Sequence, residues 1–180
     1  TINGNDTVAV TGALVTTGPN EGINTTGGTN TVSVSEAGSI ETEGAKAFGI
    51  LNIGDSNETT VSGSITTAGQ NATGVHIEGD NNQTVILGNI TTSGVSASGI
   101  RHYGCLLACS NKATLIGTIT TKSDYATGIQ SENFFDGDEV IVSKGGSIKT
   151  KGYQATGIWN MFSKNVTTVA GSIMTEGNGA

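Results

Sequence analysis

The chain has few basic residues, few aromatic residues and no long hydrophobic run. Among its 180 residues, 8 Lys and Arg stand against 15 Asp and Glu, for a net charge of −7. Because binding to phosphate backbones needs clustered Lys and Arg, nucleic acid is not an expected partner. The same balance disfavours attraction to anionic membranes. No stretch approaches the roughly 20 apolar residues of a membrane-spanning helix, so we expect no membrane insertion by this segment.

Cysteine and histidine are too scarce for a zinc site. The two cysteines, Cys105 and Cys109, lie close together, and His76 and His102 are the only histidines. This set lacks the paired spacing of zinc ligands, so we expect neither a metal nor a cofactor. We predict a small local disulfide between Cys105 and Cys109, formed in an oxidising compartment. The alternative is a pair of buried free thiols.

Glycine is abundant, with 28 residues, and it marks a repeat. A Gly-x-Ile motif, once Gly-x-Leu, recurs about every 25 residues, and a Thr follows two residues after each Ile or Leu. Five turns also carry Ala-x-Gly-Ile or Ala-x-Gly-Val. A fixed period of this kind is typical of a stacked solenoid. The motif glycines are Gly12, Gly38, Gly63, Gly88, Gly117, Gly146 and Gly171.

Each repeat predicts three short β-strands with side chains alternating between the inside and the outside. The apolar period is two and β-branched residues dominate, which excludes helix. The constant Ile, Thr and Ala are expected to point inward, and glycines mark the corners. Identical positions stack best when successive turns lie in register. The sequence therefore predicts an all-β, right-handed parallel β-helix of about seven turns over residues 1–180, as a single domain.

One further repeat position carries Asn, or once Asp. We predict that these side chains stack as a ladder that caps a bend by hydrogen bonding to the backbone and to one another. The ladder comprises Asn30, Asn57, Asn82, Asn111, Asp138 and Asn165.

The repeats at Gly63–Val75 and Gly88–Ile100 resemble the passenger domains of bacterial autotransporters, the type V secretion family. The resemblance covers nearly the whole chain, and its motif is structural. It implies a right-handed β-helix exported through the periplasm of a Gram-negative cell. Such a domain is displayed at the cell surface, tethered to the outer membrane or released. Because the chain starts and stops within a repeat, we expect an internal fragment of a longer solenoid.

Two insertions interrupt the repeat, at residues 101–110 and 130–137, and most aromatic residues lie in or near them. Because they leave the solenoid at the same corner of consecutive turns, we predict one partner-binding patch. The alternative is that these loops pack on each other as a small satellite core. The predicted patch contains Arg101, Tyr103, Leu106, Leu107, Phe134, Phe135, Trp159, Met161 and Phe162.

Catalytic signals are weak. The outward positions around Gly-x-Ile-x-Thr carry no carboxylate pair, so we expect no hydrolase. One acidic cluster is present in the sequence, formed by Asp136, Asp138, Glu132 and Glu139. It could belong to a cation site or to a glycosidic pair of carboxylates. The alternative is a solvated acidic loop. His102 is expected to be buried.

These observations favour a non-catalytic adhesin or interaction module on the cell surface. Its expected partner is a host or bacterial surface protein or glycan. A second hypothesis is a stalk or filament unit that associates with itself end to end. A polysaccharide-active enzyme or a phage tail-fibre segment is a third.

Overall fold

The chain forms a β-solenoid of three parallel sheets with three strands in every turn. This computed structural model describes residues 1–103, 110–132, 137–161 and 164–179. Each turn contributes one strand to each sheet, in the order sheet A, sheet B, sheet C. No helix occurs in these ranges, which confirms the predicted all-β class.

The strands are two to six residues long. Sheet A contains β1 (Ile2–Asn3), β4 (Ile23–Thr26), β7 (Ile50–Ile53), β10 (Val75–Glu78), β13 (Ile100–Tyr103), β16 (Thr127–Glu132) and β19 (Thr156–Met161). Sheet B contains β2 (Thr7–Val10), β5 (Thr31–Val34), β8 (Glu58–Val61), β11 (Gln83–Ile86), β14 (Lys112–Leu115), β17 (Glu139–Val142) and β20 (Val166–Val169). Sheet C contains β3 (Ala13–Thr16), β6 (Ser39–Thr42), β9 (Ser64–Thr67), β12 (Asn89–Thr92), β15 (Thr118–Thr121), β18 (Ser147–Lys151) and β21 (Ser172–Glu176).

Successive turns stack in register, as the repeat predicts. In sheet C, Ile90 pairs with Ile65 on one side and with Ile119 on the other. Each sheet contains seven strands, one for each repeat in the sequence. Six intervals join these strands, so the solenoid has about six full turns between its first and last strands.

The core is a stack of small and β-branched side chains. The inward Ile of each Gly-x-Ile motif from Ile40 to Ile148 is buried, and so are the Ala residues of the Ala-x-Gly motif, such as Ala72 and Ala97. The constant Thr also points inward, and Thr67 donates from its hydroxyl to the backbone carbonyl of Ala72 at 2.6 Å. This bond pairs the buried hydroxyl of Thr67 with the backbone carbonyl of Ala72. An apolar residue in place of Thr67 would leave that carbonyl without this donor.

Corner glycines are required by crowding between turns. A Cβ on Gly74 would overlap the side chain of Ile90 and the backbone carbonyl of Gly99. A Cβ on Gly88 would overlap the carbonyl oxygens of Gly63 and Ser62. Neither glycine has a positive φ, so the absence of a side chain, rather than backbone freedom, is what these positions use.

The Asn residues of the repeat form a continuous file inside the bend between sheets A and B. The backbone N–H of Asn57 donates to the side-chain Oδ1 of Asn82 at 2.8 Å, and that of Asn82 donates to Asn111 at 2.9 Å. The same bond joins Asn30 to Asn57, Asn111 to Asp138, and Asp138 to Asn165. Side-chain amides complete the bend, since Asn57 Nδ2 donates to the carbonyl of Gly54 at 3.0 Å.

Asp138 occupies a ladder position without an amide to donate. Its second carboxylate oxygen instead accepts from the Ser131 hydroxyl and lies 3.3 Å from Nδ1 of His102. All three side chains are fully buried. The buried position predicted for His102 is therefore observed, and the structure adds its partner: a carboxylate that also belongs to the ladder.

Candidate functional site

The outer face of sheet A carries two rows of variable side chains. In each strand the residue after the inward Ile or Val points away from the core, because side chains alternate along a strand. Register pairs these residues from turn to turn. The first row is Leu51, His76, Arg101, Gln130 and Trp159, and the second row is Ile53, Glu78, Tyr103, Glu132 and Met161.

A third row borders this face at the corner that precedes sheet A. Its members all have φ between 51 and 58°. This left-handed conformation is uncommon for residues other than glycine, and most unusual for a bulky residue such as Tyr125. This repeated backbone conformation places the five side chains along one border of the sheet, and we call this row the wall. The row is Lys46, Asn71, Ser96, Tyr125 and Gln154.

The wall and the sheet face enclose an open groove of about 550 Å³, which we call the sheet A groove. It runs along the solenoid axis, across turns rather than along a strand. Its lining combines aromatic, amide, hydroxyl and charged side chains. The lining residues are Lys46, Phe48, Asn71, Thr73, His76, Glu78, Ser96, Ser98, Arg101, Tyr103, Tyr125, Gln130 and Trp159.

His76 forms the floor near one end of the groove. It projects outward, yet only 2% of it is exposed. The Phe48 ring stacks on its imidazole at 4.5 Å between centroids, with 5° between the planes. On the other side, His76 Nε2 lies 3.1 Å from Glu78 Oε1. Because a carboxylate only accepts hydrogen bonds, Nε2 carries the proton and Nδ1 is an acceptor.

Arg101 lies beside His76 and is held from two sides. Its Nη2 donates to Glu132 Oε2 at 2.6 Å. Its guanidinium also lies over the Tyr103 ring, 4.7 Å from the centroid, a cation–π arrangement. Both contacts fix the guanidinium plane and balance its charge.

Gln130 continues the floor toward Trp159. It accepts from the Ser98 hydroxyl at 2.7 Å and donates to Glu132. Glu132 therefore links Gln130 and Arg101, and one connected hydrogen-bond network spans two neighbouring strands.

Two buried polar atoms in this floor have no hydrogen-bond partner within the described part of the chain. They are Nδ1 of His76 and Nε of Arg101. The first is an acceptor and the second is a donor. The two residues are direct register partners on β10 and β13. Seven other buried side-chain atoms of the described residues also have no partner, so what distinguishes these two is that they lie side by side in the groove floor.

Burial lowers the pKa of His76 below its ordinary value of 6.5, since desolvation penalises the charged imidazolium. The hydrogen bond to Glu78 opposes this shift, and the nearby Arg101 charge adds to it. His76 is therefore neutral at pH 7, which keeps Nδ1 available as an acceptor.

Exposed aromatic side chains follow the groove and continue past it. Trp159 is 46% exposed, Tyr103 42% and Tyr125 52%. Tyr125 also packs edge to face against Tyr153, with centroids 5.6 Å apart. A second depression of about 360 Å³ adjoins the groove, since both contain Tyr125 and Trp159. Gln154, Thr127, Thr156 and Gly179 complete it.

The structure brings together part of the patch predicted from the sequence. Arg101, Tyr103 and Trp159 line the sheet A groove. Met161 lies at the end of β19, half-buried, in the same outer row as Tyr103. The remaining predicted residues lie outside the described ranges, as does the predicted disulfide. They are Leu106, Leu107, Phe134, Phe135, Phe162, Cys105 and Cys109.

The predicted acidic cluster is wrong for its described members. Asp138 is buried in the ladder, Glu132 lies on the outer face of sheet A and pairs with Arg101, and Glu139 pairs with Lys112 on sheet B at 2.7 Å. Glu132 ends a strand of sheet A, Asp138 lies in the bend and Glu139 begins a strand of sheet B, so the turn of the chain separates their side chains. The fourth member, Asp136, lies outside the described ranges. Among the described residues, no group of three His, Cys, Asp or Glu side chains is placed to hold a metal ion.

Sequence reasoning missed Phe48, His76, Glu78, Tyr125 and Gln130. The outward positions it considered belong to sheet C, which lies on another side of the solenoid. A signal was present, because the position after the inward Ile or Val of sheet A changes type in every turn. Large or polar residues at such a variable position beside an invariant core are what a binding face requires.

Comparison with known proteins assigns no family or function to this groove. No family model matches the chain, and neither a curated protein nor a solved structure does. In the described residues, no helix has the length and apolar character needed to span a membrane.

Proposed function

We propose that this chain is a non-catalytic interaction module, an adhesin-like segment of a surface-displayed solenoid of the kind that autotransporter passengers form. The observation that carries the proposal is the sheet A groove with its exposed Trp159, Tyr103 and Tyr125. Aromatic side chains contribute large contact areas at little entropic cost and are enriched in binding sites. The rest of the described scaffold is a regular stack, so the groove is where recognition belongs.

The expected setting is the outer surface of a Gram-negative cell, where the segment is tethered to the outer membrane or released. The partner is a protein or glycan on a host or bacterial surface. The acidic, Thr-rich scaffold supports this assignment because it presents the groove without competing basic patches.

Adhesion of coated beads tests the proposal. Beads carrying the chain should adhere to cultured epithelial cells or to Gram-negative bacterial cells, and Trp159→Ser should remove most of that adhesion. Trp159 is exposed, so its loss should leave the far-UV circular dichroism spectrum unchanged. Leu87→Ser is the matched control, because Leu87 is similarly exposed and lies outside the groove.

Equal adhesion by both variants would show that the groove is not the interaction site. Release of reducing ends from polysaccharides would contradict the non-catalytic assignment and favour the enzyme hypothesis. Light scattering gives the apparent molar mass. A mass that rises with protein concentration, and that Trp159→Ser does not change, would favour the stalk or filament hypothesis.

A further inference from the structure

We infer that the sheet A groove binds an extended, uncharged glycan chain that lies along the solenoid axis. The inference rests on the proposed function and names its ligand class. It follows from the shape of the groove, from its open hydrogen-bonding atoms and from its balance of charge.

The shape favours a linear ligand. The groove extends from Phe48, beside β7, to Trp159 on β19. Four strand spacings of about 4.8 Å separate these two strands, for about 19 Å in all. Aromatic rings stand at both ends and along the side. A chain of several sugar rings matches this length, and the apolar faces of the rings can stack on the aromatic side chains.

The open polar atoms favour hydroxyl groups. His76 Nδ1 offers a buried acceptor and Arg101 Nε a buried donor, on adjacent strands. A hydroxyl group both donates and accepts, so it can satisfy either atom once the surrounding side chains shift to expose it. Gln130 and Ser98 add further polar groups along the same floor. An apolar ligand offers neither a donor nor an acceptor to this polar floor.

The charges favour a neutral ligand. Arg101 is already paired with Glu132, and Glu78 is the next carboxylate along the groove. The charged residues of the lining are Lys46, Arg101 and Glu78, and with Glu132, the ion-pair partner of Arg101, the four fixed charges cancel. The whole chain carries −7. A polyanionic glycan would find no unbalanced positive charge here and would meet overall repulsion.

The backbone disfavours a peptide. Extended peptides commonly bind by adding a strand at a sheet edge. The strands β10, β13 and β16 under the groove are hydrogen-bonded on both sides, so their main chain offers no free edge. Recognition in the groove therefore depends on side chains, which suits sugar rings better than a peptide main chain.

The test uses the 180-residue chain, whose one tryptophan is Trp159. Neutral oligosaccharides (cello-, xylo-, manno- and malto-series, from dimer to hexamer) are titrated while tryptophan fluorescence is recorded. Oligogalacturonates serve as the acidic comparison. We expect at least one neutral series to change the fluorescence, with affinity rising with chain length and exceeding that of the acidic series.

Variants measured by isothermal titration calorimetry complete the test. Trp159→Ala and Arg101→Ala should each weaken binding of that series by about tenfold or more, as truncation of a central contact does. Leu87→Ala should bind as the unmodified chain does. Circular dichroism spectra identify any variant that fails to fold, and Gln130→Ala then replaces it.

Three results would overturn the inference: no binding of any neutral series, tighter binding of the acidic series, or binding that survives both groove substitutions. If no glycan binds while Trp159→Ser still abolishes bead adhesion, the groove binds a protein. The glycan inference then fails, whereas the proposed function stands. If adhesion is also independent of Trp159, both fail.

Discussion

His76 illustrates how a single side chain can be outward-facing and buried at once. Its position in β10 points away from the core, but Phe48, Glu78 and the neighbouring Arg101 enclose it. Burial makes the neutral imidazole the stable form. The cost of charging this group should therefore appear in the pH dependence of stability.

We predict that His76 makes the free energy of unfolding fall as the solution is acidified. The unfolded chain takes up a proton near pH 6.5, whereas folded His76 takes it up only at lower pH because its pKa is lowered. Between these two values the unfolded state binds more protons, so stability decreases as pH falls. Chemical denaturation over this pH range should show the decrease in the unmodified chain. In His76→Gln the decrease should be smaller, and parallel curves would contradict the assignment.

The bend between sheets A and B shows how one residue type organises an element. Asn57 both accepts from the backbone of the previous turn, at Asn30, and caps its own bend by donating to Gly54. Because Asn recurs once per repeat, the sequence was enough to predict the ladder. The sequence could not predict that His102 and Ser131 contact the Asp138 carboxylate. The three residues come from β13, from β16 and from a bend, and only the folded chain brings them together.

Asn57→Ala should destabilise the solenoid by about 1–3 kcal/mol. The substitution leaves the buried N–H groups of Asn30 without their acceptor. Asn89→Ala is the control, since Asn89 is an exposed residue at the start of β12. Denaturant titration of both variants measures the difference. Equal stabilities would show that the ladder contributes nothing to the fold.

The whole molecule is a one-dimensional stack in which each turn packs on its two neighbours. The same repeat position therefore has different surroundings in different turns. Ile90, in a central turn, is 1% exposed, and Ile173, in the last described turn, is 39% exposed. In such a stack, stability is close to a sum of turn and neighbour contributions.

We expect Ile90→Ala to cost about 2–5 kcal/mol in the 180-residue chain, the range for a truncated core isoleucine. Ile173→Ala should cost clearly less, because much of that side chain is already in contact with solvent. Thermal or denaturant unfolding of the two variants measures both costs. Equal costs would indicate that Ile173 is covered in solution, as end-to-end association of the solenoid would produce.

The period-two pattern and the fixed positions of Gly, Thr and Asn determined the three-strand turn, the inward residues and the register. These features are local or repeat at constant spacing, so the residues that stack on one another are alike and are visible in the sequence. The right-handed winding stays a prediction.

The tertiary structure alone decided that the outer face of sheet A is the candidate site. Its side chains come from five turns, separated by 25 to 29 residues, and they differ in every turn. The sequence pointed to Arg101, Tyr103 and Trp159 through their unusual chemistry. It could not join them to His76, Gln130 and Tyr125, because only the stacking of turns brings them together and only the corner bend turns a flat sheet into a groove.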